Sequence, residues 1–182
     1  MARPARLPAM ITTVDDFLAL DLSDGKGELV RGEVRVTPPP GAAHGVAAVN
    51  LVLLLGSFVK AQGLGRVFGD NFGYHLPGLP HTVRVPDASY VRAGRLPPEG
   101  VRAGLLRLAP DLAIEVLSPN ESAAAPQEKL DDYTLAGTTC IWVVDPARGT
   151  VMVACADAPM VWLREGDTLT GERIVPGFTC AV

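Results

Sequence analysis

The segment that most constrains the fold is a short apolar run with a carboxylate inside it, residues 111–119 (DLAIEVLSP). Branched aliphatic residues surround Glu115 in a run too short for a helix and too apolar for a loop, which predicts a buried strand. An ionised carboxylate in a buried strand is costly unless a partner compensates its charge. The sequence therefore predicts a paired Glu115, and a divalent metal ion would be one such partner.

A second carboxylate lies in a similar setting. Asp87 falls within another apolar run, residues 83–91, and Lys129 follows on a predicted helix. Two carboxylates on strands and a lysine suit metal-assisted hydrolysis of a phosphodiester. A structural ion pair with a core arginine is the simpler alternative for either carboxylate. Spacing alone does not place residues of different strands side by side, so both interpretations stay open here.

Composition limits the partners and the number of domains. The chain has 182 residues, 48 % of them hydrophobic, which predicts one domain over residues 1–182 with a flexible segment at residues 1–10. The formal net charge of −4 gives no overall basic field that would attract nucleic acid. This argues against a tight non-specific DNA binder but not against a nuclease, because an acidic metal site itself lowers the net charge.

The first residues and the apolar stretches predict a cytoplasmic protein with no membrane partner. The first residues lack the apolar core of a signal peptide, and the longest apolar stretch, residues 46–59, is interrupted and short for a membrane span. The three cysteines lack CxxC spacing. They are therefore predicted to be reduced core thiols, with neither a disulfide nor a zinc site.

Hydrophobic periodicity predicts an α/β (α+β) fold: a mixed β-sheet flanked by helices. A capping box begins a short helix near residue 13, and alternation over residues 28–36 predicts one continuous strand. Helical spacing over residues 43–62 comes from Val46, Val49, Leu53 and Leu54. A further helix is predicted over residues 123–136, and the remaining predicted strands are residues 66–76, 83–91, 111–117, 140–144, 150–154, 160–163 and a last one near residue 174 or 178.

Several motifs, taken in order, resemble one bacterial family. They are Pro86-Asp87, residues 110–119, Glu128-Lys129 with Tyr133, and residues 142–146, and Gly32-Glu33 and His44 also fall where that family has them. The chain resembles the Uma-type family of restriction-endonuclease-like proteins, long called a domain of unknown function. The resemblance covers nearly the whole chain. It implies the fold of the PD-(D/E)xK nucleases and the metal-dependent hydrolysis of phosphodiester bonds in DNA.

The same resemblance implies a set of metal ligands. Asp87 and Glu115 would bind Mg²⁺ or Mn²⁺, and the backbone carbonyl of Val116 would add a further oxygen. Hard cations of this kind keep several waters and take few protein carboxylates, so a small ligand set is reasonable.

The catalytic lysine departs from the pattern of the wider superfamily. Leu117 stands two residues after Glu115, where that superfamily usually has its lysine. The resemblance implies that Lys129, on the next helix, takes this catalytic role, since a long flexible side chain reaches back to the site. The alternative is an ordinary ion pair of Lys129 with Glu128 or Asp132 on a solvated helix face.

Four accessory residues are predicted. Glu33 either supports the metal site or forms an ion pair with a neighbouring arginine. His44 either approaches the scissile phosphate or is a solvated residue at a helix start. Asp111 orients a strand end or binds water, and Tyr133, one turn after Lys129, covers the lysine stem or contacts phosphate.

Two further expectations concern partners. A basic groove for DNA would draw on arginines of the central region, namely Arg66, Arg84, Arg92, Arg95 and Arg107. The negative net charge and the displacement of the lysine from the strand to the helix favour an alternative function, a catalytically silent binding or assembly module.

A homodimer is expected through an apolar C-terminal surface, Met152, Met160, Val161 and Trp162, unless these residues complete the monomer core.

Overall fold

A computed structural model describes residues 12–22, 25–98, 100–101, 104–118 and 124–182. The segment 1–10, predicted to be flexible, lies outside these residues. The helices are α1 (Val14–Leu18), α2 (Ala42–Ala61) and α3 (Ala124–Leu135), with a 3₁₀ turn at Ala93–Arg95. The strands are β1 (Lys26–Val30), β2 (Glu33–Thr37), β3 (Gly65–Phe68), β4 (Tyr74–His75), β5 (Val83–Arg84), β6 (Ala88–Arg92), β7 (Leu112–Val116), β8 (Cys140–Asp145), β9 (Thr150–Cys155), β10 (Val161–Arg164), β11 (Thr168–Thr170) and β12 (Thr179–Ala181).

The centre of the fold is a mixed sheet between two helices, as predicted. Its strand order is β10-β9-β8-β7-β6-β3, in which β7 and β8 are parallel and the other pairs antiparallel. On one face, Leu55 of α2 packs in a cluster with Ile114 and Trp142. On the other face, Tyr133 of α3 packs in a cluster with Ala113. Strand β7 is thus covered on both faces, which explains its nearly continuous apolar sequence.

A smaller sheet, ordered β2-β1-β5-β4, lies beside the first. The prediction of one strand over residues 28–36 is wrong, because the chain turns back at Arg31 and Gly32. Both residues have positive φ angles, 50° and 84°, as the two-residue hairpin turn that matches strand twist requires. Strand β1 is buried, whereas β2 is largely exposed. The turn therefore brings Lys26 and Glu28 of β1 into the interior.

The predicted strand over residues 83–91 also divides into two. Strand β5 belongs to the small sheet and β6 to the large one. Pro86, which has no N–H to donate to a ladder, lies at the break. Asp87 directly follows it and precedes β6, so this carboxylate stands at the junction of the two sheets.

The last predicted strand exists near residue 178 as β12, but its predicted place in the large sheet is wrong. Strands β11 and β12 form a separate hairpin rather than finishing the large sheet. Ile174 and Phe178 lie in the connection between them and are buried. The Phe178 ring stacks on Trp142 at 6.2 Å between ring centroids. These two residues are apolar because they cover the sheet, not because they extend it.

Helix α2 has the predicted length, but the apolar residues that suggested it are exposed. Val46, Val49, Leu53 and Leu54 are 52–61 % exposed, while the core receives the opposite side of the helix. The helix is apolar on nearly every side, so its periodicity does not select a buried face. By length and composition alone, α2 would also suffice to cross a membrane. This is weak evidence for a membrane span, because a helix that contributes to a protein core can have the same length and composition.

The prediction that all cysteines are reduced is wrong in this structure, which joins Cys140 to Cys155 in a disulfide. The two residues are direct partners in the antiparallel pairing of β8 and β9, and Cys180 is a free thiol. The turn at residues 146–149 sets this register. Two cysteines at equal distances from such a turn lie side by side whatever their sequence spacing.

Candidate active site

Asp87 is held as an anion by three donors from different elements. Its Oδ2 atom accepts a hydrogen bond of 2.7 Å from the Val116 N–H and lies 3.2 Å from Nε2 of His44. Its Oδ1 atom accepts one of 2.6 Å from Nζ of Lys26. Burial alone would raise the pKa of Asp87, but the hydrogen bond from His44 and the charge of Lys26 hold it well below its usual range. The same hydrogen bond raises the pKa of His44.

Glu115, only 4 % exposed, faces α3 and is paired with it. Its Oε2 atom accepts a hydrogen bond of 2.8 Å from Nζ of Lys129, and its Oε1 atom accepts one of 2.9 Å from the Tyr133 hydroxyl. Lys129 and Tyr133 lie one turn apart, so one helix face supplies both donors. Burial raises the pKa of Glu115, while the ammonium of Lys129 opposes that rise.

The charge state of Lys129 bears on what it does chemically. Burial disfavours its ammonium form, but the negative charges of Glu115 and Glu28 prevail and raise the pKa of Lys129 well above its ordinary value. Lys129 is therefore a cation at neutral pH. Such a group stabilises negative charge on a substrate and does not act as a general base in this state.

Two residues of β1, Lys26 and Glu28, belong to the same cluster and were missed at the level of sequence. Oε1 of Glu28 accepts a hydrogen bond of 2.9 Å from the Val85 N–H and lies 3.7 Å from Nζ of Lys129. Nζ of Lys26 contacts Asp70 as well as Asp87. Burial alone would lower the pKa of Lys26, but the charges of Glu115 and Asp87 raise it above its ordinary value. Positive and negative groups thus alternate through the cluster.

An ion-pair network fixes α3 against the small sheet. Nε and Nη2 of Arg84 donate to Oδ2 of Asp132 at 2.9 and 2.6 Å, and its Nη1 donates to Oε2 of Glu28 at 2.9 Å. Arg31, at the hairpin turn, donates to the other oxygen of Asp132 at 2.6 Å. Asp132 is fully buried and follows Lys129 by three residues on the same helix. The network therefore sets where Lys129 lies relative to the strands.

The structure brings together most of the predicted site residues: Asp87, Glu115, Val116, Lys129, His44 and Tyr133. Glu33 is not among them, because it is exposed and pairs with Arg35 at 3.0 Å, which is the ion-pair alternative. Asp111 stands at the opposite end of β7. There it accepts a hydrogen bond from the Arg92 N–H and pairs with Arg95 at 2.8 Å, so it fixes a strand end, as one interpretation held.

The arginines on which a basic groove would draw are dispersed over the structure. Arg92 and Arg95 lie with Asp111, away from Asp87. Arg84 is buried in the network described above, and Arg107 lies near Asp15 and His75. The sequence does not reveal which arginines pair with acidic residues in the fold, so it could not place these arginines relative to the site.

A small cleft of about 30 Å³ opens onto the cluster, room for about two water molecules. Its lining includes carboxylates and cations of the cluster, namely Lys26, Glu28, His44, Asp70, Asp87 and Lys129, together with Thr37, Pro38, Pro40, Val116 and Ser118. Carboxylate oxygens are the ligands that Mg²⁺ and Mn²⁺ prefer, so the donor set fits such an ion in kind.

The arrangement of these donors is nevertheless complete without an ion. All four carboxylate oxygens of Asp87 and Glu115 lie within hydrogen-bonding distance of a protein donor. Within the described ranges, no group of three or more His, Cys, Asp and Glu residues is arranged to hold a metal. Lys26 is the group that an ion would have to displace from Asp87.

Comparison with known proteins identifies the family of this chain. The family model described as "Uma2: Putative restriction endonuclease" matches residues 14–182. The chain belongs to this family. The Uma2 match confirms the resemblance drawn from the sequence motifs. No protein among the curated ones matches.

Among solved structures, the chain is similar to a protein from Anabaena variabilis ATCC 29413 described as a "putative nuclease belonging to DUF820". The two are 25 % identical, and the match covers 93 % of this chain and 94 % of that one with a TM-score of 0.81. The predicted fold class is confirmed, and both comparisons support a nuclease.

Proposed function

We propose that this Uma2-family protein is an endonuclease that hydrolyses phosphodiester bonds in DNA with Mg²⁺ or Mn²⁺. The observation that supports the proposal is the proximity of Asp87, Glu115 and Lys129: Asp87 and Lys129 line one cleft, and Glu115 accepts a hydrogen bond from Lys129. These residues come from a sheet junction, a central strand and a helix, and nothing in the packing of an ordinary core requires two buried carboxylates and a buried lysine together.

Each residue of the site then has a role. Asp87 and Glu115 would hold the ion, with the Val116 carbonyl as a further oxygen ligand, and a bound ion would polarise the phosphate and lower the pKa of its water. Lys129 stabilises the negative charge that develops on the phosphate. Tyr133 orients Glu115 by donating to it, and His44 keeps Asp87 ionised.

Two arginines of the β1–β2 hairpin are suited to contact the DNA backbone. The side chains of Arg31 and Arg35 are 49 % and 42 % exposed, and both pair with Glu128 on α3. Phosphate oxygens recognise the guanidinium fork in the same way as carboxylates do. Because Glu128 directly precedes Lys129, a DNA strand bound by these arginines would lie close to the site.

Cleavage assays test the proposal. Wild-type protein with Mg²⁺ or Mn²⁺ is expected to cut supercoiled and linear DNA, whereas Glu115→Gln and Asp87→Asn lose the activity because each removes a metal-binding charge. The readout is the conversion of plasmid forms on a gel, with melting curves to verify folding. Glu172→Gln, at an exposed carboxylate outside the site, serves as the matched control and keeps full activity. Equal cleavage by wild type and Glu115→Gln would sink the proposal.

A second candidate is a nuclease-like module that binds nucleic acid without cutting it. It is favoured by one observation, that the carboxylates of the site are already satisfied by protein donors. Under this alternative, mobility-shift assays would show DNA binding that is the same with and without divalent ions. The plasmid assay would then show no product in any metal.

We also propose that two copies associate through β10. This strand is at the edge of the large sheet, so its outer hydrogen-bonding groups have no strand partner within the described residues. Met160, Val161 and Trp162 are exposed there, Trp162 by 62 %. Met152, expected on the same surface, is only 6 % exposed and belongs to the core instead.

Light scattering at micromolar concentration measures this association. Trp162→Ser is expected to weaken the dimer by roughly 10- to 100-fold, because burial of a large apolar side chain contributes about 1.5–3 kcal/mol. Leu53→Ser, at an equally exposed apolar position on α2, is the matched control and leaves the dimer intact. If Leu53→Ser alone produced monomers, the interface would be on α2 and not on β10.

A further inference from the structure

Lys26 lies between two carboxylates at the edge of the site. Its Nζ atom is 2.6 Å from Oδ1 of Asp87 and 2.9 Å from Oδ1 of Asp70. The Lys26 side chain is 14 % exposed, so its ammonium is largely shielded from water while it bridges the two acids. A positive charge shared by two aspartates is the arrangement that a bound metal ion would otherwise provide.

We propose that Lys26 is a built-in competitor of divalent metal, and that Asp70 becomes a metal ligand beside Asp87 when Lys26 is displaced. The inference rests on the proposed function only in taking Asp87 as a metal ligand. It adds a residue that regulates metal affinity and a carboxylate that neither the sequence motifs nor the comparisons assign.

The two cations exclude one another on physical grounds. Two positive charges within a few ångströms repel strongly in a shielded site, and Oδ1 of Asp87 has an ammonium at hydrogen-bonding distance. Oδ2 of Asp87 is also engaged, by the Val116 N–H and by His44. An ion that takes Asp87 must therefore break the contacts of Lys26, whose four-carbon stem is flexible enough to swing away.

Near Asp70, the displacement of one cation, Lys26, gives a metal ion access to two carboxylates. Glu115 and Glu28 lie close to Lys129, and Glu28 is engaged by Arg84 as well. Lys129 and Arg84 would both have to move before Glu28 bound a metal, and Lys129 would have to move before Glu115 did. On the other side, displacement of Lys26 alone removes the ammonium from Oδ1 of Asp70 and from Oδ1 of Asp87, and Oδ1 of Asp70 keeps its hydrogen bond from the Asn71 N–H.

Calorimetric titration of the full chain with Mn²⁺, without DNA, tests the inference. Lys26→Met is expected to bind Mn²⁺ about 10- to 100-fold more tightly than wild type, because a hydrogen bond to a charged group typically changes an equilibrium by that factor. Lys26→Gln, which keeps a polar side chain, should show a gain of the same sign if Lys26→Met folds poorly. Lys60→Met, an exposed lysine near the end of α2, is the control and leaves the affinity unchanged.

A double variant assigns the new ligand. Asp70→Asn in the Lys26→Met background is expected to abolish the gain in affinity. An unchanged or weaker affinity in both Lys26 variants overturns the inference, and so does a gain that persists without the Asp70 carboxylate. Failure of the inference differs from failure of the proposed function. Tighter Mn²⁺ binding without DNA cleavage removes the function alone, and metal-dependent cleavage with unchanged affinity in the Lys26 variants removes the inference alone.

Discussion

Replacing Arg84 with methionine is expected to lower the free energy of unfolding by about 3–5 kcal/mol. Arg84 is 1 % exposed and donates to Glu28 and Asp132, both of which are buried. Removing the guanidinium leaves two carboxylates inside the protein without their main partner, which is far costlier than losing a surface ion pair. Denaturation in guanidinium chloride, followed by tryptophan fluorescence, measures the difference.

An exposed arginine provides the control for this prediction. Arg148 pairs with Asp145 at 2.6 Å, but its side chain is 78 % exposed. Solvent screens such a pair, so Arg148→Met is expected to cost less than about 1 kcal/mol. Equal losses in the two variants would contradict the idea that Arg84 compensates buried charge.

Replacing Lys129 with methionine is expected to slow DNA cleavage by about 100- to 1,000-fold, the usual effect of removing one group that stabilises transition-state charge. The variant should also change the pH dependence. The ammonium opposes the rise that burial causes in the pKa of Glu115, so without it that pKa rises further. Because the proposed mechanism needs Glu115 ionised, the acid side of the rate profile is expected to move to higher pH.

Single-turnover rates at several pH values measure both effects. The exposed Lys60 again offers a matched control, since Lys60→Met removes the same charge far from Glu115 and leaves rate and profile unchanged. A Lys129→Met protein that is folded and cleaves at the wild-type rate would contradict a catalytic role. A slower protein whose profile does not move would separate Lys129 from the ionisation of Glu115.

Features of the site that depend on neighbouring residues in the sequence were predictable, and features that depend on contacts between distant segments were not. The burial of Glu115 followed from its immediate neighbours, because branched aliphatic residues on both sides of a carboxylate indicate a strand inside the core. The meeting of Asp87, Glu115 and Lys129 depends on strand order and helix packing, which spacing does not encode. The residue types made these three residues candidates for one site, and the resemblance to a family predicted their separate roles before the structure brought them together.

Lys26 and Glu28 were missed for a specific reason. Alternation continues through Arg31 and Gly32, so a hairpin looked like one strand. Once β1 is recognised as a strand of its own, Glu28 stands beside Leu29 and Val30 in the same kind of apolar setting that singled out Glu115. The turn consists of two adjacent residues with left-handed backbone, Arg31 and Gly32, and of these only the glycine indicates such a conformation in the sequence.

The movement of the catalytic lysine from a strand to α3 changes what holds the site together. The position of a lysine on β7 would be fixed by the backbone hydrogen bonds of the sheet. Lys129 instead depends on side-chain packing and on the Arg84–Asp132 pairing, which join a helix to a different sheet. The integrity of the active centre is therefore coupled to one interface, so a substitution that loosens α3 can silence the protein while every strand stays paired.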